Sequence, residues 1–295
     1  MSKCIGTIII GLGRIGLKYQ IKKKSIKTHC KSIFLNKNFK LIAGVDINKS
    51  NRNIFEKEYK SPSFSNVREA LKIYLPKFVI ISTPTNLHKK NFEEVIKFKS
   101  VKYILIEKPI SFNYQDSKYI IETCKKKKIK LFINYIRRSN SGLVNLKKIL
   151  NKVNNNHVEI YYNNGFINNG SHYLNLMRFY FNKPLKIEVV SFVKRSKYDF
   201  NVNLQIVFKK AIVNIVYKNN FIYDMIFKSK LINLKNKKKN GFKLKKLKIK
   251  SDMSNYQRDV LREIYKHIHK KKSFISNGED HMADMKIIDR IKNEI

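Results

Sequence analysis

The chain has 295 residues, with 63 Lys and Arg against 21 Asp and Glu, a formal net charge of +42 and a pI near 10.1. That length suggests about two domains with room for a substantial core, and nothing in the composition reads as disordered or fibrous. Apolar runs are short and interrupted, none nearing the ~20 residues of a membrane span, and no small-residue cleavage site follows an apolar N-terminal region, so a cytoplasmic protein is expected.

The first element is an apolar run over residues 5–11 that breaks into Gly11-Leu12-Gly13-Arg14-Ile15-Gly16. The run reads as a buried parallel strand; Gly11 permits a tight turn, Gly13 lets backbone approach a pyrophosphate, and Gly16 allows close helix packing. Phosphates would sit at a helix N-terminus, where N–H groups and the dipole favour anions. A second strand at 40–46 ends in Asp46, an acid suited to accept hydrogen bonds from an adenosine ribose. The usual spacing to that acid is about 20 residues, so an insertion is expected around Lys22 to Lys31. Asp46 repels a 2′-phosphate and favours NAD over NADP. Lys49 and Arg52 weaken the preference.

Further strands are predicted at 78–82, 103–107 and 130–134, alternating with helices over Asn86 to Lys99, where Leu87, Phe92, Val95 and Ile96 share a face, and Asn113 to Lys125. Alternation of this kind predicts a doubly wound parallel sheet with its ligand crevice at the carboxyl ends of the strands. Helices are predicted over Asn140 to Lys152 and Gly170 to Phe181, then strands at 200–208, 211–217 and 221–227, where apolar residues alternate with polar ones. This second pattern predicts a mostly antiparallel open sheet. Two helices close the chain, one with Val260, Leu261, Ile264 and Ile268 in a stripe, the other with Ile287, Ile288 and Ile291. Asn154 to Asn156 and the lysine-rich 235–241 stretch read as loops. The expected fold is α/β, with a dinucleotide-binding domain at 1–137 and an α/β domain at 138–295.

Lysines are spread over both halves, with runs at Lys22–Lys24, Lys125–Lys128, Lys237–Lys239 and Lys270–Lys272. Ala43, Ala70, Ala211 and Ala283 are the only alanines and Trp is absent, the pattern of an AT-rich coding genome. A solvated lysine surface is therefore expected, with salt-sensitive binding to polyanions but no specific nucleic-acid partner. Cys4, Cys30 and Cys124 are dispersed and odd in number, as reduced thiols would be. His29 adjoins Cys30, and His267 and His269 point to different sides of a helix, so no pair has metal-ligand spacing.

Lys108 follows a predicted strand end, at the rim where a crevice would open. Its ammonium could hydrogen-bond a substrate hydroxyl and relay the proton while hydride leaves for a nicotinamide ring. Glu107, if close, raises the Lys108 pKa, and an oxidised nicotinamide lowers it. His172 is a candidate general base, since imidazole titrates near neutrality. Arg137 and Arg138 carry forked guanidinium groups suited to carboxylate or phosphate, and one of the two is expected to meet such an anion. His88 could approach a cofactor or cap its own helix. Tyr114 and Lys118 match the Tyr-x-x-x-Lys pair of short-chain dehydrogenases, but Tyr19 and Lys23 match equally well and the glycine spacing differs.

Four segments occur in order after the glycine motif: Ser82-Thr83-Pro84-Thr85-Asn86-Leu87-His88, Glu107-Lys108-Pro109, Gly170-Ser171-His172 and Asn277-Gly278-Glu279-Asp280. The set resembles the Gfo/Idh/MocA family of sugar oxidoreductases over most of the chain. The resemblance implies cofactor contacts from Thr83, Pro84, His88 and Glu107 beside the glycine motif and Asp46. It implies a sugar or nucleotide-sugar substrate between two domains, met by Lys108, Arg137, Arg138 and His172, and a homo-oligomer formed through the second domain's sheet. Many family members have an acid four residues before the helix-opening His and another three after. This chain has Asn168 and Asn175, which can orient a substrate without accepting its proton. An NAD(P)-dependent oxidoreductase acting on a sugar hydroxyl or ketone is expected; the alternative is a cofactor-binding sensor or assembly partner with little catalysis.

Overall fold

The computed structural model describes residues 4–19, 24–230, 232–237, 242–244 and 249–294. The chain divides into two compact units, Met1–Asn134 with Ser254–Met282, and Tyr135–Met253 with Ala283–Ile295. Where the sequence reading has two contiguous domains meeting at 137/138, both units are discontinuous.

In the first unit, strands β1 (Ile5–Ile10), β2 (Phe39–Val45), β3 (Ser63–Phe64), β4 (Phe78–Ile81), β5 (Tyr103–Ile106) and β6 (Lys130–Ile133) alternate with helices α1 (His29–Phe34), α2 (Lys49–Tyr59), α3 (Val67–Tyr74), α4 (His88–Val95) and α5 (Tyr114–Lys126). The six strands are parallel in the order β6-β5-β4-β1-β2-β3. Helices cover both faces, which is why Ile8 and Ile9 in β1 and all of Phe78–Ile81 in β4 are fully buried. Thr28 and the asparagines Asn48, Asn66 and Asn113 cap α1, α2, α3 and α5 by accepting first-turn N–H bonds. The predicted strands each end one residue early, because Gly11, Asp46, Ser82, Glu107 and Asn134 leave the sheet for the crevice end. The predicted helix to Lys99 stops at Val95, where Lys97 and Phe98 close three-residue turns on Glu94 and Val95.

The glycine motif leads into a five-residue helical turn, Arg14–Lys18, and not into a long helix. Regular helix resumes at His29 under the Thr28 cap. Of the expected insertion, Ser25 to Lys27 is non-helical; residues 20–23, including Lys22 and Lys23, lie outside the described residues.

The second unit holds α6 (Ser141–Leu150), β7 (Asn156–Tyr162), α7 (Ser171–Phe181) and strands β8 (Lys186–Lys194), β9 (Phe200–Phe208), β10 (Ala211–Tyr217), β11 (Tyr223–Lys228) and β12 (Asn233–Lys237), with a small hairpin of β13 (Lys243–Leu244) and β14 (Ile249–Lys250). Its sheet runs β12-β11-β7-β10-β9-β8, antiparallel throughout except for β7 with β10. Aromatic rings of α7 pack on it, Tyr180 against Phe227 and Phe181 against Phe208. Two predicted loops run partly into strand. Asn156 opens β7 because its buried amide finds the carbonyls of Val153 and Lys210. Residues 235–237 end β12, with Leu234 and Asn236 turned inward; 238–241 lie outside the described residues.

The chain closes with α8 (Tyr256–Ile268), β15 (Ser276–Asn277) and α9 (Gly278–Glu294). Antiparallel pairing of β15 with β6 protects that edge of the first sheet. None of the described helices is long and apolar enough to cross a membrane.

Candidate functional site

The three motif glycines do different things. Gly11 sits at φ +97°, and a Cβ there would lie 2.6 Å from Thr83 N. At Gly16 a Cβ would come within 2.0 Å of the Gly11 carbonyl oxygen. Both positions therefore demand glycine for the protein's own packing. Gly13 differs: a Cβ there meets nothing within 4 Å, so its face is open to a ligand. The turn is fastened by Ser82 Oγ, which donates to Gly11 O at 2.8 Å, and by Leu12 N, which donates to Asp46 Oδ2 at 2.8 Å.

Asp46 stands at the end of β2, as expected, and its carboxylate also takes Asn48 N and Asn51 Nδ2. Arg52 donates to the carbonyls of Asp46 and Ile47 at 2.9 and 3.0 Å. An acid disfavours and a guanidinium favours a 2′-phosphate, so this corner carries groups for either dinucleotide.

At the end of β5, Glu107 Oε1 accepts from His29 Nε2 at 2.8 Å and from Asn134 Nδ2 at 2.5 Å. Burial alone would push this carboxyl up, but His29, Asn134 and the Lys108 ammonium together hold it below the usual carboxylate range. The next turn, Lys108-Pro109, contains a cis peptide. His88, the first residue of α4, is buried, with Nδ1 3.1 Å from the carbonyls of both Pro109 and Ile110 and Nε2 2.9 Å from that of Thr83. Burial lowers its pKa. The ring is thus wedged between the backbone of the Thr83-Pro84 turn and that of the Lys108-Pro109 turn, and as a neutral imidazole it donates its one N–H to one of them. Thr83 Oγ1 accepts from Asn91.

In the second unit His172 lies in the first turn of α7, 9% exposed, with its ring edge-on to Tyr135 at 5.6 Å. Asn168 is exposed in the turn before it, where Asp199 accepts from the backbone N–H groups of Ile167 and Asn168. Asn175 does not sit as a substrate ligand would: its Nδ2 donates to Asp284 Oδ2, and Arg178 donates to Asp284 Oδ1. Arg137 is likewise engaged within its unit. Its guanidinium stacks 4.0 Å over the Tyr173 ring, donates to Tyr173 Oη at 2.7 Å and lies 3.7 Å from Asp224. Asp224 is buried and also accepts from Tyr173 and Asn236. A carboxylate taken out of water requires such partners, which draws Arg137 inward. Arg138 is buried too, over the Phe179 ring.

Sequence reasoning missed His29, Asn134, Asp224 and Asp284. A histidine directly after a helix-capping threonine was a local sign for the first. Asp284 offered none, since its partner Asn175 is 109 residues away.

A parallel sheet with a glycine turn after its first strand, and an acid tied to that turn from the second, defines a dinucleotide-binding unit of the Rossmann type. Residues 5–135 match the model of the Gfo/Idh/MocA family, described as an oxidoreductase family with an NAD-binding Rossmann fold. Through this segment, just under half of its length, the chain is similar to that family of NAD-binding oxidoreductases. It is similar to an uncharacterized oxidoreductase of Streptococcus pneumoniae serotype 4, at 35% identity over 75 residues, which is 25% of this chain and 20% of the relative; the match spans about a fifth of that relative's length. In fold it is similar to the WlbA dehydrogenase of Bordetella pertussis in complex with NADH and UDP-GlcNAcA, with a TM-score of 0.78, 13% identity and coverage of 99% and 96% of the two chains. A myo-inositol dehydrogenase of Corynebacterium glutamicum gives a TM-score of 0.76 at 13% identity, covering 99% and 96%.

Proposed function

We propose that this protein oxidises a hydroxyl carbon of a sugar or nucleotide-linked sugar, or reduces the matching ketone, with NAD preferred over NADP. The observation that carries this reading is the Lys108 turn, clamped by Glu107 on one side and His88 on the other at the carboxyl end of the parallel sheet. The family's cofactor chemistry and the sugar-related ligands named for similar folds support it. The open face of Gly13, between two glycines that pack tightly, fits a dinucleotide, with Gly11 to Gly16, Asp46, Thr83 and Pro84 as its contacts. A bound nicotinamide supplies the hydride acceptor or donor. Lys108 hydrogen-bonds the reacting oxygen and moves its proton, and His172 serves as the base that returns the proton to water. Asn168 orients substrate.

A second reading, a cofactor-binding sensor with little catalysis, is favoured by one observation: Asn175 and Arg137 are spent on buried acids of their own unit. Fluorescence titration with NADH and NADPH at low and moderately high salt is the first test. NADH binding persists in salt and is tighter than NADPH, and Gly13→Ala weakens it without changing thermal stability, because the added methyl meets no protein atom. Binding of both nucleotides that vanishes together as salt rises sinks the assignment. Turnover with a panel of sugars then separates enzyme from sensor.

We also infer that a second copy covers the open sheet, whose described surface exposes Val190, Val193 and Ile212. Sedimentation velocity should give a dimer or larger that Val193→Lys weakens; a monomer at all concentrations rejects it.

A further inference from the structure

The imidazole of His29 has no part in the roles assigned above. It opens α1, is 1% exposed, and directs Nε2 at Glu107 Oε1. Asn134 reaches the same oxygen from the end of β6. Two donors on one oxygen fix the rotamer of a carboxylate and favour its charged form. Glu107 directly precedes Lys108, and the two charges interact. Such an interaction is reciprocal: whatever keeps Glu107 ionised also favours the ammonium of Lys108.

The geometry points to His29 as a positioning residue that acts through Glu107 to set the charge state of Lys108; this rests on the proton-transfer role proposed for Lys108. Lys108 takes a proton from a hydroxyl only as the amine and gives one to a ketone only as the ammonium, so its balance point sets the pH range over which each direction is catalysed. With the His29 N–H withdrawn, Asn134 alone supports the part-buried carboxylate of Glu107, its charged form is less favoured, its pull on Lys108 weakens, and Lys108 loses its own proton at lower pH. Among the described residues, the titratable side chains of Tyr256 in α8 and His88 in α4 also feel the charge of Glu107, besides Lys108 itself. His29 and Asn134 are the side chains that donate to it among the described residues.

The test is the pH dependence of Lys108 acylation by acetic anhydride in the full-length protein, read by peptide mass spectrometry, with far-ultraviolet circular dichroism measured alongside as a check on folding. His29→Phe removes the donor, and the Lys108 midpoint falls by roughly one pH unit, giving about tenfold faster labelling at pH values below it. His29→Gln keeps an N–H donor and leaves the midpoint near that of the unmodified chain. Glu107→Gln reproduces the fall, and His29→Phe added to it produces no further change. If His29→Phe does not fold, His29→Asn, whose shorter amide stops short of Oε1, takes its place. A midpoint unmoved by loss of the donor overturns the proposal, as does an equal shift in the Gln and Phe variants. Labelling needs no substrate, so a shifted midpoint without turnover on any sugar keeps the role of His29 and removes the oxidoreductase reading, while turnover with an unshifted midpoint does the reverse.

Discussion

Lys108→Ala lowers turnover by about 10²- to 10⁴-fold, the usual worth of a positioned general acid or base, while NADH affinity stays within about twofold. The split follows from where Lys108 stands. Its neighbours hold the turn by contacts that do not involve its ammonium: Glu107 is fixed by His29 and Asn134, and the backbone of Pro109 and Ile110 by His88. Truncating the side chain therefore removes a reacting group and leaves the scaffold in place. Lys108→Arg restores the positive charge but not the activity, because a guanidinium does not release its proton near neutrality. Stopped-flow and steady-state rates with the best sugar of the panel, beside fluorescence titration of NADH, measure both quantities. Turnover that survives Lys108→Ala while His172→Ala also has no effect removes the catalytic assignment altogether.

Asp284→Ala destabilises the protein by about 3 kcal/mol, the low end of what losing one partner of a buried ion pair costs, since Arg178 is 17% exposed and partly rehydrates. The loss has two sources. Arg178 is left without its carboxylate, and the buried amide of Asn175 loses its acceptor. The surface pair Lys186–Glu188, at 2.9 Å and largely exposed, is the control: Glu188→Ala costs under about 1 kcal/mol. With no tryptophan in the chain, urea unfolding is followed by far-ultraviolet circular dichroism. Equal midpoints for Asp284→Ala and Glu188→Ala refute the argument.

The parallel half of the fold was legible in the sequence because its strands are apolar on both faces and end in residues that announce themselves, Gly11, Asp46, Thr83-Pro84 and Glu107. The short β3 and the polar helices α2 and α3 were not, since Lys49–Tyr59 has few apolar positions and takes its start from the Asn48 cap. In the second half β7 was hidden by asparagines that read as loop, yet Asn156 is buried and bonded. The site divides along the same line. Glycines whose roles depend on neighbouring backbone, and a lysine at a strand end, declare themselves locally. Arg137 was read as a ligand for an outside anion because Asp224, the anion it meets, belongs to β11 and gives no local signal beside Tyr135 to Ser139. His29 and Glu107, 78 residues apart, are joined only once β1, β2 and β5 are in one sheet.

The position of β15 has a bearing on how the chain is made. The ribosome delivers β1 to β6 first, then Tyr135–Met253 of the second unit, and only afterwards Ser276–Asn277, which covers the flank of β6. From the emergence of β6 until Ser276 arrives, the strand is consequently a bare edge with unpaired backbone groups, although its Leu131, Phe132 and Ile133 are buried once folded. The domain that emerges first is thus the one completed late, and a pause before residue 276 exposes a template for pairing with a neighbouring nascent chain.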